Sequence, residues 1–129
     1  MDDNDIEEYI YNPTAEIVDY VKSLKVPIIC FPRNIKNYNK YILATKPDVI
    51  NIDYSIDPKK ILDQIRIPVQ GGLDPKVLLS ELDNVKKETV KYLNLFKNHP
   101  YIFNLGHGVL PETNPSTVDY LVKLVRDFK

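Results

Sequence analysis

Apolar residues along the chain fall into two kinds of pattern. Residues 28–31, 48–53, 67–70 and 101–103 are short, nearly continuous apolar runs, suited to buried strands. Between them the apolar positions recur at the helical period. Ile17, Val18, Val21 and Leu24 form one stripe, and Tyr38, Tyr41, Ile42 and Leu43 a second. Leu82, Val85, Tyr92, Leu93 and Phe96 form a third, and Val118, Leu121, Val122 and Val125 a fourth. Asx-Pro pairs at Asn12-Pro13, Asp57-Pro58, Asp74-Pro75 and Asn114-Pro115 each predict a helix start, because the Asx side chain caps and proline suits the first turn. Ser80-Glu81-Leu82-Asp83 reads as a capping box opening a helix to about residue 98. A helix over 36–45 has no sharp cap, and a short one is expected to run from Asp57-Pro58 through Ile65. Residues 1–11, acidic and then aromatic, read as an acidic arm or the remnant of a helix; residues 12–129 read as one β/α domain.

One helix followed by four strand–helix units is an α/β pattern. Near-continuous apolar strands separated by helices imply parallel pairing under a helical cover. Two architectures satisfy this, a small open doubly wound sheet and half of a (β/α)8 barrel, and periodicity leaves both open. At 129 residues the chain holds at most one domain, and 43% hydrophobic with 27% charged residues fits a globular protein. The net charge of -1 with scattered Lys and Arg gives no basic stripe, so no nucleic-acid partner is expected. No apolar run approaches the ~20 residues of a membrane span, and the acidic start is unlike a signal peptide. Cys30 stands alone, which excludes an internal disulfide and makes a cytoplasmic location the expectation.

Candidate chemistry concentrates where strands end. Residues 101–108 pass from an apolar strand into Gly106-His107-Gly108, and a helix follows at Asn114-Pro115. This is how α/β folds present a group at the carboxyl end of a sheet, so His107 is the first candidate, with its glycines expected to supply positive φ. His99, at a helix end, is read as a cation suited to the helix dipole. Gly71-Gly72-Leu73-Asp74-Pro75 combines a glycine turn with a helix cap, and could seat a ligand against backbone amides. Asp53 and Arg33 end the second and first strands; Asp53 could face the same rim as His107 or simply bind loop amides, and Arg33 could meet a carboxylate or be solvated. Cys30 reads as an inert core thiol. No metal-ligand spacing, phosphate loop or nucleophile elbow is present, so no metal site is expected.

Gly71-Gly72-Leu73-Asp74-Pro75 together with Phe103-Asn104-Leu105-Gly106-His107-Gly108 and Pro111 resembles the C-terminal part of uroporphyrinogen decarboxylase. That family reads Gly-Asn-Leu-Asp-Pro and Asn-Leu-Gly-His-Gly at these places, so Gly72 is a departure. The resemblance covers about residues 9–129 and roughly the last third of the family. It implies the C-terminal half of a (β/α)8 TIM barrel with four parallel strand–helix units. It also implies no cofactor and a role in decarboxylating the four acetate side chains of uroporphyrinogen to give coproporphyrinogen, in porphyrin and haem biosynthesis. His107 matches the family's substrate-contacting histidine, with Asp53, Gly71, Asp74 and Arg33 as further cleft-lining candidates. Phe31-Pro32-Arg33 occupies the place of the His-x-Cys zinc pair of related methyltransferases.

The family's arginine-rich segment, central aspartate, cleft tyrosine and serine have no counterpart here. The chain is therefore expected to be inactive without an N-terminal half. The alternative is a non-catalytic remnant or tetrapyrrole-binding module on the same fold. An open sheet face, expected to carry Ile28, Cys30, Ile50, Ile52, Val69 and Ile102 or Phe103, would call for self-association or a separate N-terminal chain as partner.

Overall fold

The computed structural model describes residues 3–129, so Met1 and Asp2 of the N-terminal segment lie outside the described residues. From Asp3 the chain is helical: α1 (Asp3–Ile6), a π-helical turn over Glu7–Tyr11, and α2 (Asn12–Ser23) run on without interruption. The cap expected at Asn12 is therefore not there. Its backbone N–H already donates to the Glu7 carbonyl, and proline follows with no N–H of its own.

The remaining elements alternate: β1 (Ile29–Cys30), α3 (Tyr38–Thr45), β2 (Val49–Ile52), α4 (Pro58–Gln64), β3 (Val69–Gly71), a 3-10 turn (Pro75–Leu79), α5 (Leu82–Leu95), β4 (Tyr101–Ile102) and α6 (Pro115–Asp127). Asn37 caps α3 by accepting from the Lys40 amide, and Asp57 and Asn114 cap α4 and α6 in the same way. Asp74 caps a 3-10 turn rather than an α-helix. The expected capping box at Ser80 does not form: α5 starts from Glu81 with no side-chain cap. The Ser80 hydroxyl is already committed, donating to the Val77 carbonyl at 2.6 Å and accepting from Asn84 at 2.9 Å.

The strands form one parallel sheet in the order β1-β2-β3-β4. A doubly wound sheet reverses its strand order, whereas sequential order is the local topology of a barrel, so the sheet is consistent with part of a (β/α)8 barrel. The register lays Cys30, Ile50, Val69 and Tyr101 in one row across all four strands, with Ile52 beside Gly71 two rows on. Cys30, Ile50, Ile52 and Val69 are buried, and share the core with Val18, Tyr38 and Tyr41, Ile61, Val85 and Tyr92, and Leu121 from the helices.

This corrects the expectation for the open face. Near-continuous apolar runs hide which alternate side chain turns which way, and the residues expected to lack cover are mostly those under the helices. The uncovered face carries Ile29 (46% exposed) and Ile102 (45% exposed) instead, with Asn51 and Gln70 between them. The Gln70 amide donates to Asn51 Oδ1 at 3.0 Å, so the middle of that face is polar. Phe103 belongs to neither set; it packs half-buried against the core.

Aromatic residues tie α5 to the sheet. Phe96 stacks on Tyr101 with centroids 4.2 Å apart and planes at 9°. His99, at the same helix end, bonds the Ile67 carbonyl through Nε2 at 2.9 Å, which anchors the ring more specifically than the helix dipole. The Tyr92 hydroxyl donates to the Gly72 carbonyl and the Tyr101 hydroxyl to the Gly71 carbonyl, each at 2.7 Å. Both glycines have positive φ, 86° and 101°. A Cβ on Gly72 would stand 2.8 Å from Tyr92 Cε1 and 3.0 Å from Ile52 Cδ1, so this turn has room for no side chain.

Burial, reinforced by the charges of Glu88, Asp74 and Asp57, pushes the Tyr92 phenol up from 10.0 to about 12. Burial also raises Tyr38, Tyr41 and Tyr101. The unfolded chain therefore releases these protons first. The stabilisation is intact below pH 10.0 and is lost as pH climbs through about 12. Denaturant titrations across this range are expected to show falling stability above pH 10.0, with a shallower fall in Tyr92→Phe. At neutral pH that variant should lose about 1 kcal/mol with the hydrogen bond to Gly72. A stability profile flat up to pH 12 would contradict the assignment.

Candidate functional site

Because the strands are parallel, the segments that follow them emerge on one rim: Arg33 after β1, Asp53 after β2, Asp74 after β3 and His107 after β4. Asp53 is 2% exposed. Its Oδ1 accepts the Ser55 amide at 2.9 Å and its Oδ2 lies 3.7 Å from Arg33 Nε. Its own amide donates to the Tyr38 hydroxyl, which in turn donates to the Pro32 carbonyl, each at 3.3 Å. Tyr38 of α3 thus joins the ends of β1 and β2, and Asp53 acts mainly as an anchor for its own loop and for Arg33.

The His107 turn is set by its neighbours. Beyond β4 one further parallel bridge pairs Leu73 with Leu105, and the Gly106 amide donates to the Leu73 carbonyl at 2.7 Å. The Leu105 amide is held by Asn104 Oδ1 at 2.8 Å. Neither Gly106 nor Gly108 has positive φ, contrary to expectation; Gly106 is needed for space. A Cβ there would stand 2.4 Å from the Tyr54 backbone nitrogen, so only glycine lets the turn close onto the loop after β2. Gly108 faces open space.

A cleft of about 260 Å3 lies on this rim, with Arg33, Tyr54, Asp74, Lys76, His107 and Leu110 among its walls. It brings together His107, Arg33 and Asp74 of the residues singled out in the sequence. Asp53 stands behind Arg33, and Gly71 is buried in its turn away from the cleft lining. Tyr54 and Lys76 were not singled out, since both reach the cleft only through loop folding. His107 also borders a second hollow, about 420 Å3, on the uncovered sheet face beside Phe31, Asn51, Gln70 and Asn104. Its ring meets Phe31 edge-on with centroids 6.4 Å apart. The exposed imidazole makes no hydrogen bond among the described residues and borders both hollows. Among the described residues no group of three or more His, Cys, Asp and Glu is placed to hold a metal ion. No helix among them is long and apolar enough to cross a membrane.

Comparison with known proteins gives a single theme. The uroporphyrinogen decarboxylase (URO-D) family model matches residues 1–128. A uroporphyrinogen decarboxylase of Rickettsia bellii is 35% identical over the whole of this chain and 39% of its own length. One from Rickettsia africae is 38% identical, covering 96% of this chain and 37% of the relative. One from Wolbachia pipientis wMel is also 38% identical, covering 95% and 37%. The chain thus spans well under half the length of the curated relatives it matches.

The two glycines around His107 allow a direct test of the turn. Gly106→Ala is expected to destabilise the fold by roughly 1–3 kcal/mol, the usual cost of overpacking against backbone. Gly108→Ala should stay within about 0.5 kcal/mol of the unaltered chain, as open surface positions do. Equal chemical-denaturation midpoints for the two variants would show that Tyr54 does not press on Gly106.

Proposed function

Since this chain belongs to the uroporphyrinogen decarboxylase family, we propose that it forms the C-terminal half of a (β/α)8 barrel that decarboxylates the acetate side chains of uroporphyrinogen. Residues 12–129 supply four β/α units, and the helical segment before them leads into the first. Sequential strand order, helices against one face and an uncovered second face support the barrel reading. Complementary units would pair with the free edges of β1 and β4 and cover Ile29 and Ile102.

The observation that carries the function is the free imidazole of His107, raised on a sterically required glycine turn into a cleft at the carboxyl rim. It suits a carboxylate of the substrate, as hydrogen-bond donor or cation. Arg33 and Asp74 share the cleft walls. Loss of carbon dioxide leaves an electron pair that must be held electrostatically, usually the largest catalytic contribution. The aspartate, tyrosine, serine and arginine-rich segment that the resemblance assigns to the family's cleft have no counterpart in this chain, which spans 39% of the Rickettsia bellii relative. The chain by itself therefore binds without turning over.

The test is complementation. The purified chain is expected to form no coproporphyrinogen from uroporphyrinogen. Adding the part of the Rickettsia bellii relative that lies outside the matched region should produce a complex that does. His107→Ala in that complex should lose activity by on the order of tenfold or more. Turnover by the chain alone would overturn the half-barrel reading. Tetrapyrrole binding without turnover in the assembled complex would make the chain a non-catalytic binding module.

A further inference from the structure

We propose that Lys76 is a substrate-contacting residue of the same cleft, forming with Arg33 and His107 a three-point receptor for two neighbouring carboxylates on one edge of the ligand. This inference rests on the tetrapyrrole reading above and deepens it.

The three side chains come from three different strand ends, yet line one concavity of about 260 Å3. That volume is too small for a whole tetrapyrrole and suits the two short acid arms of a single pyrrole ring. The charges present leave all three donors available. Asp74 spends one carboxylate oxygen on the Lys76 backbone amide, at 2.9 Å. Asp53 Oδ2 lies 3.7 Å from Arg33 Nε, beyond hydrogen-bond distance, and the guanidinium makes no hydrogen bond among the described residues. The Lys76 ammonium and both nitrogens of His107 likewise have none there.

The position of Lys76 is also fixed. Pro75 is buried and Asp74 holds the Lys76 amide, so the backbone that carries this exposed side chain is anchored beside the cleft. Tyr54 and Leu110 add apolar wall to the same cleft. A solubilising lysine would need neither the anchored backbone nor the shared concavity.

Two probes separate this inference from the reading it rests on. Benzene-1,2,4,5-tetracarboxylate, a rigid polycarboxylate without a tetrapyrrole, is titrated into the 15N-labelled chain while the Lys76, His107 and Gly108 amides are followed. Uroporphyrin binding is followed by fluorescence. Lys76→Gln should weaken both ligands roughly tenfold, the usual scale for a lost charge-assisted hydrogen bond, and Lys76→Arg should keep most of the affinity. Lys123→Gln on α6 should change neither. Equal affinity of Lys76→Gln and the unaltered chain, or no shift of the cleft amides with the tetracarboxylate, would overturn the role of Lys76. Failure of the unaltered chain to bind uroporphyrin, even in the complemented complex, would instead overturn the tetrapyrrole reading.

Discussion

The hydrogen bond from the Gly106 amide to the Leu73 carbonyl, 2.7 Å long, is the contact on which the rim depends. It continues the β3–β4 ladder past the end of both strands and draws the His107 turn down onto the loop after β2. Only a residue without a side chain survives that approach, since the Tyr54 backbone fills the space a Cβ on Gly106 would take. Three strand-end loops are joined in this way, and the cleft is the space left between them. A peripheral change in any of them would move the imidazole, since packed loops transmit displacement rather than absorb it.

The sheet that carries this rim is slight. Two of its strands are only two residues long, so ladder hydrogen bonds alone cannot hold it. Cohesion comes from the helical side, where one row of side chains crosses all four strands and the Phe96–Tyr101 stack fixes the last of them. The other side mixes exposed Ile29 and Ile102 with the Asn51–Gln70 amide pair. Such a face is neither apolar enough to collapse on any greasy surface nor polar enough to be content in water. It suits a partner that offers matched polar groups at its centre.

Element existence was legible because its signals are local. Asp57, Asp74 and Asn114 cap as their sequence suggests, and the apolar runs are strands. The failures share a cause, which is competition for a group already engaged. Asn12 does not cap because the preceding helical turn runs straight into it, its amide already donating to the Glu7 carbonyl, and Ser80 does not cap α5 because its hydroxyl serves the preceding turn. The facing of the strands was lost because runs such as Ile28-Ile29-Cys30-Phe31 have no alternation to read. At the site, His107 was visible from its flanking glycines, although the need at Gly106 is steric rather than conformational. Tyr54 and Lys76 had no local signal, because their place in the cleft is created by loops distant in sequence.

The turn at Gly72 has a consequence for redesign. The resemblance puts asparagine at this place, whereas here a Cβ would stand 2.8 Å from the Tyr92 ring and 3.0 Å from Ile52, on a backbone with a φ of 101°. Positions 72 and 92 are therefore coupled, and substitutions at the two are not expected to add. A side chain at position 72 is best introduced together with a smaller one at position 92, an exchange that also gives up the hydroxyl's bond to the Gly72 carbonyl.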